Sequence, residues 1–367
     1  MLTVELPISK SIANRYLIKC AIHGDLLPSY NESWSDDIKS MHNLLSSEIE
    51  LIDIGSAGTV FRFGLAYWSA QEGVNKILTG DDRLLERPIY PLINSLMDLG
   101  ADLTRLEDGS WRIIGKKLTG GSVKIDSSIS SQFESALLLV ESLMSSKLEI
   151  QNISKGVSLP YVKMTKLICK NSFNWPPEYD WSNSWIWIAR ACITNEEILL
   201  KGLSDVSIQG DVICAQWAKI FGFKLTNIDE GILVRGHPRD FDVIDLNFIS
   251  CPDLVQVSVA LAILSKTKFS CNGLKTLAHK ETNRFKALID ALILLGIEVC
   301  DIESNRSFSF DSTSWEPIND TLNVSSLGDH RMSFFWAIIG LKQSIYIIDR
   351  EVVSKSYPGF WEQWELK

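Results

Sequence analysis

Three stretches of the chain share one pattern of apolar and polar positions. In each, an apolar-faced helix pattern ends at a glycine and is followed by two short strand patterns; the glycines are Gly100, Gly222 and Gly296. Glycine at a helix end favours a left-handed C-cap. Nine residues after each glycine stands a residue type that accepts a positive φ in a tight hairpin, namely Gly109, Gly231 and Asn305. The pattern predicts an α/β fold built from repeated units of a helix and a hairpin.

A boundary between two lobes is predicted near Pro176-Pro177. Consecutive prolines cannot continue a helix and stiffen a connection. Asp180 then has the character of a helix N-cap before the apolar run from Trp185 to Ile193. Two domains also suit the length, because 367 residues are more than one core usually serves.

Composition narrows the class of protein. Hydrophobic residues make up 46% and charged residues 22%, which permits a large packed core and argues against disorder. No apolar run reaches the roughly 20 residues that span a bilayer, and residues 1–10 do not have the pattern of a signal peptide. Seven scattered cysteines without a CxxC pair indicate reduced thiols in a cytoplasmic protein, with neither a disulfide framework nor a zinc site. A net charge of -9 disfavours general nucleic-acid binding.

Several segments carry residues suited to holding an anion. Small residues, hydroxyls and cations at predicted helix starts can bring backbone N–H groups and positive charge to one ligand. Taken singly, each segment is also explained as an ordinary helix cap, a tight turn or a solvated ion pair. They are Pro7 to Arg15, Asp53 to Arg62, Gly80 to Pro88, Ser130 to Phe133, Lys280 to Arg284, Gly328 to Met332, and Lys355 to Pro358.

As an ordered set, these segments resemble the 5-enolpyruvylshikimate-3-phosphate synthase family of enolpyruvyl transferases. The order is SKSxxNR, GxAGTxxR, RxxxRP, SSQF, PD, KETxR, DHRM and KSYP, and it covers nearly the whole chain. SSQF, KETxR and DHRM are the most specific parts. The resemblance implies an α/β fold with two similar lobes, each of three βαβαββ-type units around buried helices, like an inside-out barrel. The first lobe would be 8–178 and the second 1–7 with 179–367.

The resemblance also implies a reaction and its residues. The enolpyruvyl group of phosphoenolpyruvate would pass to the 5-hydroxyl of shikimate 3-phosphate by addition and elimination, with release of phosphate, in the shikimate pathway of aromatic amino-acid biosynthesis. Catalysis would fall to Asp253, Glu281, Lys10 and Lys280. Shikimate 3-phosphate would contact Lys10, Ser11, Arg15, Ser130, Ser131, Gln132, Ser158, Tyr161, Asp253 and Lys280. Phosphoenolpyruvate would contact Lys10, Gly58, Arg83, Gln132, Arg284, Arg331 and Lys355.

No metal or organic cofactor is signalled, and we expect a cytoplasmic monomer without nucleic-acid or membrane partners. The sequence departs from the family pattern at Ile8, Thr276 and Asn283, where Gly, Asn and Asp are usual. Two alternatives stay open. One is the related transferase acting on UDP-N-acetylglucosamine, which lacks SSQF and carries a reactive cysteine where Gly80 to Pro88 has none. The other is a non-catalytic paralogue that binds anions.

Overall fold

A computed structural model describes residues 1–154, 156–172, 174–236 and 243–366. The helices are α1 (Lys10–His23), α2 (Asp36–Ser46), α3 (Gly58–Ser69), α4 (Asp82–Glu86), α5 (Tyr90–Asp98), α6 (Ser131–Val140), α7 (Leu159–Lys170), α8 (Trp181–Thr194), α9 (Cys214–Ile220), α10 (Val255–Leu264), α11 (Arg284–Leu294), α12 (His330–Ile339) and α13 (Phe360–Trp364). Short 3-10 turns cover Glu141–Leu143, Gly210–Ile213, Pro252–Leu254, Lys275–His279 and Arg350–Lys355.

The strands lie singly or in short runs between these helices along the chain. They are β1 (Leu2–Glu5), β2 (Leu51–Asp53), β3 (Asn75–Thr79), β4 (Asp102–Arg105), β5 (Trp111–Ile114), β6 (Gly121–Ile125), β7 (Leu148–Asn152), β8 (Ile198–Lys201), β9 (Phe223–Ile228), β10 (Gly231–Gly236), β11 (Val243–Asn247), β12 (Lys268–Asn272), β13 (Val299–Glu303), β14 (Ser307–Asp311), β15 (Leu322–Val324) and β16 (Ile345–Ile347).

The four-stranded sheets share one topology. Each extends a parallel strand pair with an antiparallel hairpin, in the orders β1-β8-β10-β9, β2-β3-β5-β4 and β11-β12-β14-β13. Their hairpins are the three found in the sequence. The predicted turn residues have positive φ, at 85° for Gly109, 143° for Gly231 and 57° for Asn305. The glycines that end the preceding helices do too, at 95°, 82° and 73° for Gly100, Gly222 and Gly296. The predicted repeat is therefore confirmed.

Two further sheets are parallel pairs without a hairpin, β6 with β7 and β15 with β16. Three full βαβαββ units were expected in each lobe. The described residues contain three full four-stranded sheets and two sheets that are reduced to the parallel pair. The reason is local, because α7 follows β7 and the 3-10 turn Arg350–Lys355 follows β16 with no intervening strands. The connection from α1 to β2 likewise contains α2 and no strand.

The chain divides into two compact units. Unit 1 contains Met1–Ser9 with Glu178–Lys367, and unit 2 contains Lys10–Pro177. In unit 1 the helices α8, α10 and α12 contact one another, and in unit 2 the helices α1, α3 and α6 do so. Residues 255–264 of α10 are apolar on nearly every side, which is typical of a helix enclosed by its own domain. Each unit thus has an axis of buried helices.

The start of α8 is as predicted. The side chain of Asp180 accepts a hydrogen bond from the backbone N–H of Asn183 at 2.8 Å, so Asp180 is the N-cap. The tryptophans Trp181, Trp185 and Trp187 that follow are fully buried. Within the described part of the chain, no helix combines the length and the apolar character needed to cross a membrane.

Candidate active site

Most of the site residues predicted in unit 2 lie at or near the starts of its helices. Lys10, Gly58 and Ser131 are the first residues of α1, α3 and α6, and Ser158 directly precedes α7. The first N–H groups of a helix lack intrahelical acceptors and carry partial positive charge, so they favour anions. We call these residues the helix-start set; it comprises Lys10, Ser11, Arg15, Gly58, Ser130, Ser131, Gln132, Ser158 and Tyr161.

The amide of Gln132 is held at both ends. Its Oε1 accepts a hydrogen bond from Nη1 of Arg62 at 3.0 Å, and its Nε2 donates to Oγ1 of Thr59 at 2.8 Å. The hydroxyl of Ser130 caps α6 by accepting from the backbone N–H of Gln132 at 3.2 Å. Arg62 is part of the GxAGTxxR motif, but sequence reasoning gave it no role. The structure shows that Arg62 orients Gln132.

Arg87 lies beside Gly58. A Cβ at Gly58 would stand 2.6 Å from Nη1 of Arg87 and 2.7 Å from Nη1 of Arg62. Arg87 is only 8% exposed. The Arg83 side chain is 41% exposed and pairs with Glu86 at 3.8 Å. Both arginines belong to the RxxxRP motif.

Arg15 is buried among neutral partners. Its Nε donates to Oγ1 of Thr165 at 2.7 Å, and its Nη1 donates to the backbone oxygen of Ser11 at 2.7 Å. Nη2 lies 3.4 Å from Oγ of Ser135. Burial lowers the pKa of Arg15 to about 10. The guanidinium thus retains an uncompensated positive charge, which is the property that its predicted role requires.

The remaining members of the helix-start set have distinct local environments. Nζ of Lys10 forms an ion pair with Oδ2 of Asp37 at 2.9 Å, and the Asp37 side chain is nearly buried. Ser158 is buried and has φ +53°, a left-handed conformation that is uncommon for serine. Tyr161 lies in the first turn of α7, and its backbone oxygen is 3.5 Å from Nη2 of Arg15. Lys10 therefore belongs to an ion pair as well as to a helix start.

In unit 1 the predicted acid and base meet around one buried arginine. Nη1 of Arg284 donates to Oδ1 of Asp253 at 2.8 Å, and Nη2 donates to Oε2 of Glu281 at 2.9 Å. Nε and Nη2 of Arg284 reach the two carboxylate oxygens of Asp329 at 2.7 and 3.1 Å. Nζ of Lys280 donates to Oδ1 of Asp253 at 3.0 Å. We call Asp253, Lys280, Glu281, Arg284, Arg331 and Lys355 the acid–base set.

The charges of this set bias its protonation states. Burial alone would raise the pKa of Asp253, but Lys280, Arg284 and Arg331 together hold that pKa well below its usual range. Burial would lower the pKa of Arg284, but Asp329, Glu281 and Asp253 raise it instead. Asp253 is therefore ionised at neutral pH. Asp329 caps α12 by accepting from the backbone N–H of Arg331. Its ion pair with Arg284 was not predicted, because a helix-cap pattern does not indicate such a pair.

Arg331 differs sharply from Arg284. It is 1% exposed, and its Nη1 makes only long contacts to neutral oxygens, at 3.3 Å to the carbonyl of Ser182 and 3.4 Å to Oδ1 of Asn183. Its Nε has no hydrogen-bond partner, and no carboxylate of the described residues lies within 4 Å of its guanidinium. A buried guanidinium of this kind is suited to receive an anionic group. Lys355, also buried, ends the 3-10 turn Arg350–Lys355.

Two departures from the family pattern have clear local environments. Asn283 caps α11, because its side chain accepts from the N–H of Lys286 at 3.1 Å. Thr276 is buried in the turn Lys275–His279, and its hydroxyl has no partner among the described residues. Among all the residues that the structure describes, no cluster of three or more His, Cys, Asp or Glu residues could hold a metal ion.

Comparison with known proteins gives consistent matches along the chain. The family model described as EPSP synthase (3-phosphoshikimate 1-carboxyvinyltransferase) matches residues 45–173 and 169–364. A 3-phosphoshikimate 1-carboxyvinyltransferase from Bacteroides fragilis is 33% identical, over 98% of this chain and 93% of the relative. One from Colwellia psychrerythraea is 29% identical, over 98% and 95%.

Solved structures with a similar fold share little sequence. An EPSP synthase from Acinetobacter baumannii has a TM-score of 0.70 at 18% identity, over 99% of this chain and 95% of that one. The enolpyruvyl transferase NikO from Streptomyces tendae has a TM-score of 0.70 at 11% identity, over 99% and 94%. These two likenesses concern the fold alone.

Proposed function

The chain belongs to the EPSP synthase family, and on that premise we propose that its helix-start set and its acid–base set act on the same two substrates. The reaction is that of the family: the enolpyruvyl group of phosphoenolpyruvate passes to the 5-hydroxyl of shikimate 3-phosphate, in the shikimate pathway. One observation carries the residue assignment. Arg284 gathers Asp253 and Glu281, while Arg331 stays buried without a carboxylate partner among the described residues.

The helix-start set supplies most contacts to shikimate 3-phosphate in this proposal. Ser130, Ser131 and Ser158, with Tyr161 beside them, hold its phosphate at the starts of α6 and α7, where unpaired N–H groups add positive character. Lys10, Ser11 and Arg15 hold its carboxylate side, and Gln132 lies between the two substrates. The fixed Gln132 amide supports this role, because its orientation does not have to be acquired on binding.

Phosphoenolpyruvate is held in this proposal by Arg331, Lys355 and Lys10, with a backbone contact from Gly58. We add Arg87 to this group in preference to Arg83, because Arg87 is buried beside Gly58 and Arg83 is a surface residue. A glycine at position 58 leaves room for both the arginines and a ligand, since an added Cβ would already crowd Nη1 of Arg87.

Asp253 and Glu281 divide the proton transfers. Asp253 accepts the proton of the 5-hydroxyl while the hydroxyl oxygen bonds to the central carbon of phosphoenolpyruvate. Glu281 gives a proton to the methylene carbon. The C–O bond to phosphate then breaks, a methyl proton returns to the protein, and the double bond re-forms.

A carboxylate with a low pKa is a weak base. Anionic substrate against Arg331 and Lys280 would offset those cations and raise the pKa of Asp253 towards the working pH.

Arg284 is assigned a different part from the one that the sequence resemblance implied. Four hydrogen bonds to Asp253, Glu281 and Asp329 occupy four of the five donors of its guanidinium. At most one N–H is left for phosphoenolpyruvate. We propose that its main action is to set the geometry of Asp253 and Glu281, and that Arg331 carries the larger share of anion binding.

A cytoplasmic location and a monomeric state without nucleic-acid or membrane partners complete the proposal. The cysteines are free in the structure, as suits a reducing compartment, and the net charge of -9 is unfavourable for polyanions.

Phosphate release from shikimate 3-phosphate and phosphoenolpyruvate tests the proposal. Release should require both substrates, and UDP-N-acetylglucosamine should not replace the first. Arg87→Ala should raise the KM for phosphoenolpyruvate by at least about tenfold, because it removes a buried charge at the ligand. Arg83→Ala, the matched surface variant, should change it less than about twofold. Release with the UDP-sugar, or none with either acceptor, would reject the function; equal effects of the two variants would reject Arg87.

A further inference from the structure

A segment outside both residue sets braces the start of α8. This brace, Ser207–Asp211, bonds to residues 178–182. Oε1 of Gln209 accepts from the backbone N–H of Trp181 at 3.1 Å, and Nε2 of Gln209 donates to the carbonyl of Tyr179 at 2.8 Å. The hydroxyl of Ser182 donates to Oδ2 of Asp211. Gln209 and Asp211 are both buried, so solvent does not compete for these bonds.

The first turn of α8 in turn holds two members of the acid–base set. The carbonyl of Ser182 and Oδ1 of Asn183 are the acceptors for Nη1 of Arg331. Nδ2 of Asn183 donates to the carbonyl of Ser356 at 3.1 Å, and Ser356 directly follows Lys355. A displacement of this turn would therefore move Arg331 and the backbone next to Lys355 together.

Asp211 also contributes charge at this point. Its carboxylate interacts electrostatically with Arg331 from α12 and with Asp253 from the turn Pro252–Leu254. The titratable groups that face it also include Asp180, Cys214 and Cys251. A buried carboxylate close to another carboxylate is unfavourable for folding. Its presence next to the catalytic cluster calls for a functional explanation.

We infer that Asp211 is a positioning residue for Arg331 and Lys355, acting through Ser182 and the first turn of α8. The inference rests on the proposed function, in which Arg331 and Lys355 bind phosphoenolpyruvate. A carboxylate accepts a hydroxyl more strongly than a neutral amide does, so aspartate holds Ser182 more firmly than asparagine would. Loss of the acceptor should thus weaken binding of phosphoenolpyruvate and leave shikimate 3-phosphate unaffected.

Steady-state kinetics of phosphate release by the full chain test this inference. Asp211→Ala should raise the KM for phosphoenolpyruvate about tenfold, with kcat within about threefold of the native value and the KM for shikimate 3-phosphate unchanged. Asp211→Asn keeps an acceptor for Ser182 and should restore the KM to within about threefold. Asp205 is an exposed residue of the same connection, and its carboxylate accepts a hydrogen bond from Asn227. Asp205→Ala should therefore have the KM and kcat values of the native protein.

Ser182→Ala removes only the donor hydroxyl and serves if Asp211→Ala does not fold; it should reproduce the rise in the KM for phosphoenolpyruvate. A folded Asp211→Ala or Ser182→Ala protein with a native KM for phosphoenolpyruvate would overturn the inference. An equal rise in both KM values would overturn it too, because that would indicate a general structural defect. The native protein's activity with both substrates is measured first, so failure of the proposed function is recognised before any variant is compared.

Discussion

Arg15 in unit 2 and Arg284 in unit 1 are both buried, but their hydrogen-bond acceptors differ in charge. In unit 2 Arg15 donates to the hydroxyl of Thr165 and to the carbonyl of Ser11, both at 2.7 Å. In unit 1 Arg284 donates instead to the carboxylates of Asp253, Glu281 and Asp329. Neutral acceptors satisfy the donors of an arginine and leave its charge in place, whereas carboxylates cancel the charge as well.

This difference separates binding from chemistry in physical terms. An uncompensated buried cation attracts an anionic ligand strongly, because little solvent screens it. Burial lowers the pKa of Arg15 in unit 2 to about 10, whereas the three carboxylates raise that of Arg284 in unit 1. A compensated cluster instead holds ionisable groups at fixed distances, as proton transfer requires. The surroundings of Arg15, like those of Arg331 in unit 1, suit the attraction of an anion, whereas those of Arg284 suit the positioning of carboxylates.

The comparison is tested most severely by removing each arginine's charge. Arg284→Gln would leave three carboxylates near one another without their shared cation, and we expect a loss of about 3–5 kcal/mol in the free energy of unfolding. Arg15→Gln leaves neutral acceptors such as Thr165 and the carbonyl of Ser11, and should cost about 1–2 kcal/mol. Urea denaturation of both variants measures these values. Equal losses would mean that the two environments do not differ in the way described.

A second test uses the pH dependence of stability at Asp211. Burial and Asp253 raise its pKa to about 6, although Ser182 and Arg331 oppose the shift. The folded state therefore binds this proton more tightly than the unfolded state, so the native protein loses the corresponding stability as pH rises from about 4 to about 6. Two pKa units correspond to about 3 kcal/mol.

Asp211→Asn cannot lose that stability, because asparagine does not ionise. Its free energy of unfolding relative to the native protein should therefore increase by up to about 3 kcal/mol between pH 4 and pH 7. Urea denaturation series at several pH values measure the difference. A constant difference across this range would show that Asp211 does not titrate in this window.

Turnover sharpens the assignment of chemistry to unit 1. Asp253→Ala and Glu281→Gln should each lower kcat by a factor on the order of 10², about 2.7 kcal/mol, because each removes one proton-transfer group. Single-turnover phosphate release measures the effect, and circular dichroism controls for folding. Near-native turnover in either variant would remove that residue from the mechanism.

The smallest expected effect concerns Asn283. Aspartate also caps helices well, and its negative charge interacts favourably with a helix start. Asn283→Asp should thus change the free energy of unfolding by less than about 0.5 kcal/mol and leave turnover equal or higher. A collapse of turnover would show that the charge balance around Arg284 is adapted to a neutral residue at this position.

The repeat could be predicted from sequence because its signals are local. A glycine such as Gly100 or Gly109 adopts a positive φ for reasons that belong to the residue itself. Asp180 as the cap of α8 is a similar case. The shortened units were harder to foresee, because a missing hairpin leaves no pattern to recognise.

The candidate site could be predicted only in part. Motif order placed Asp253, Glu281 and Arg284 in one set, but their shared ion pairs depend on side-chain directions that spacing does not encode. The closeness of Arg87 to Gly58 likewise depends on tertiary packing that spacing does not encode. Asp211 is far from every recognised motif, and only tertiary contacts bring it to Ser182.

The position of β1 has a consequence for how the chain is made. β1 pairs in parallel with β8, with Leu2 opposite Ile198, so unit 1 contains a strand that leaves the ribosome before unit 2 and a partner strand that emerges after unit 2. Unit 2 is continuous in sequence and can complete its contacts in the meantime. Until β8 appears, β1 is an unpaired strand awaiting its neighbour. A nascent chain stalled before β8 should therefore protect α6 from protease and leave β1 open to cleavage.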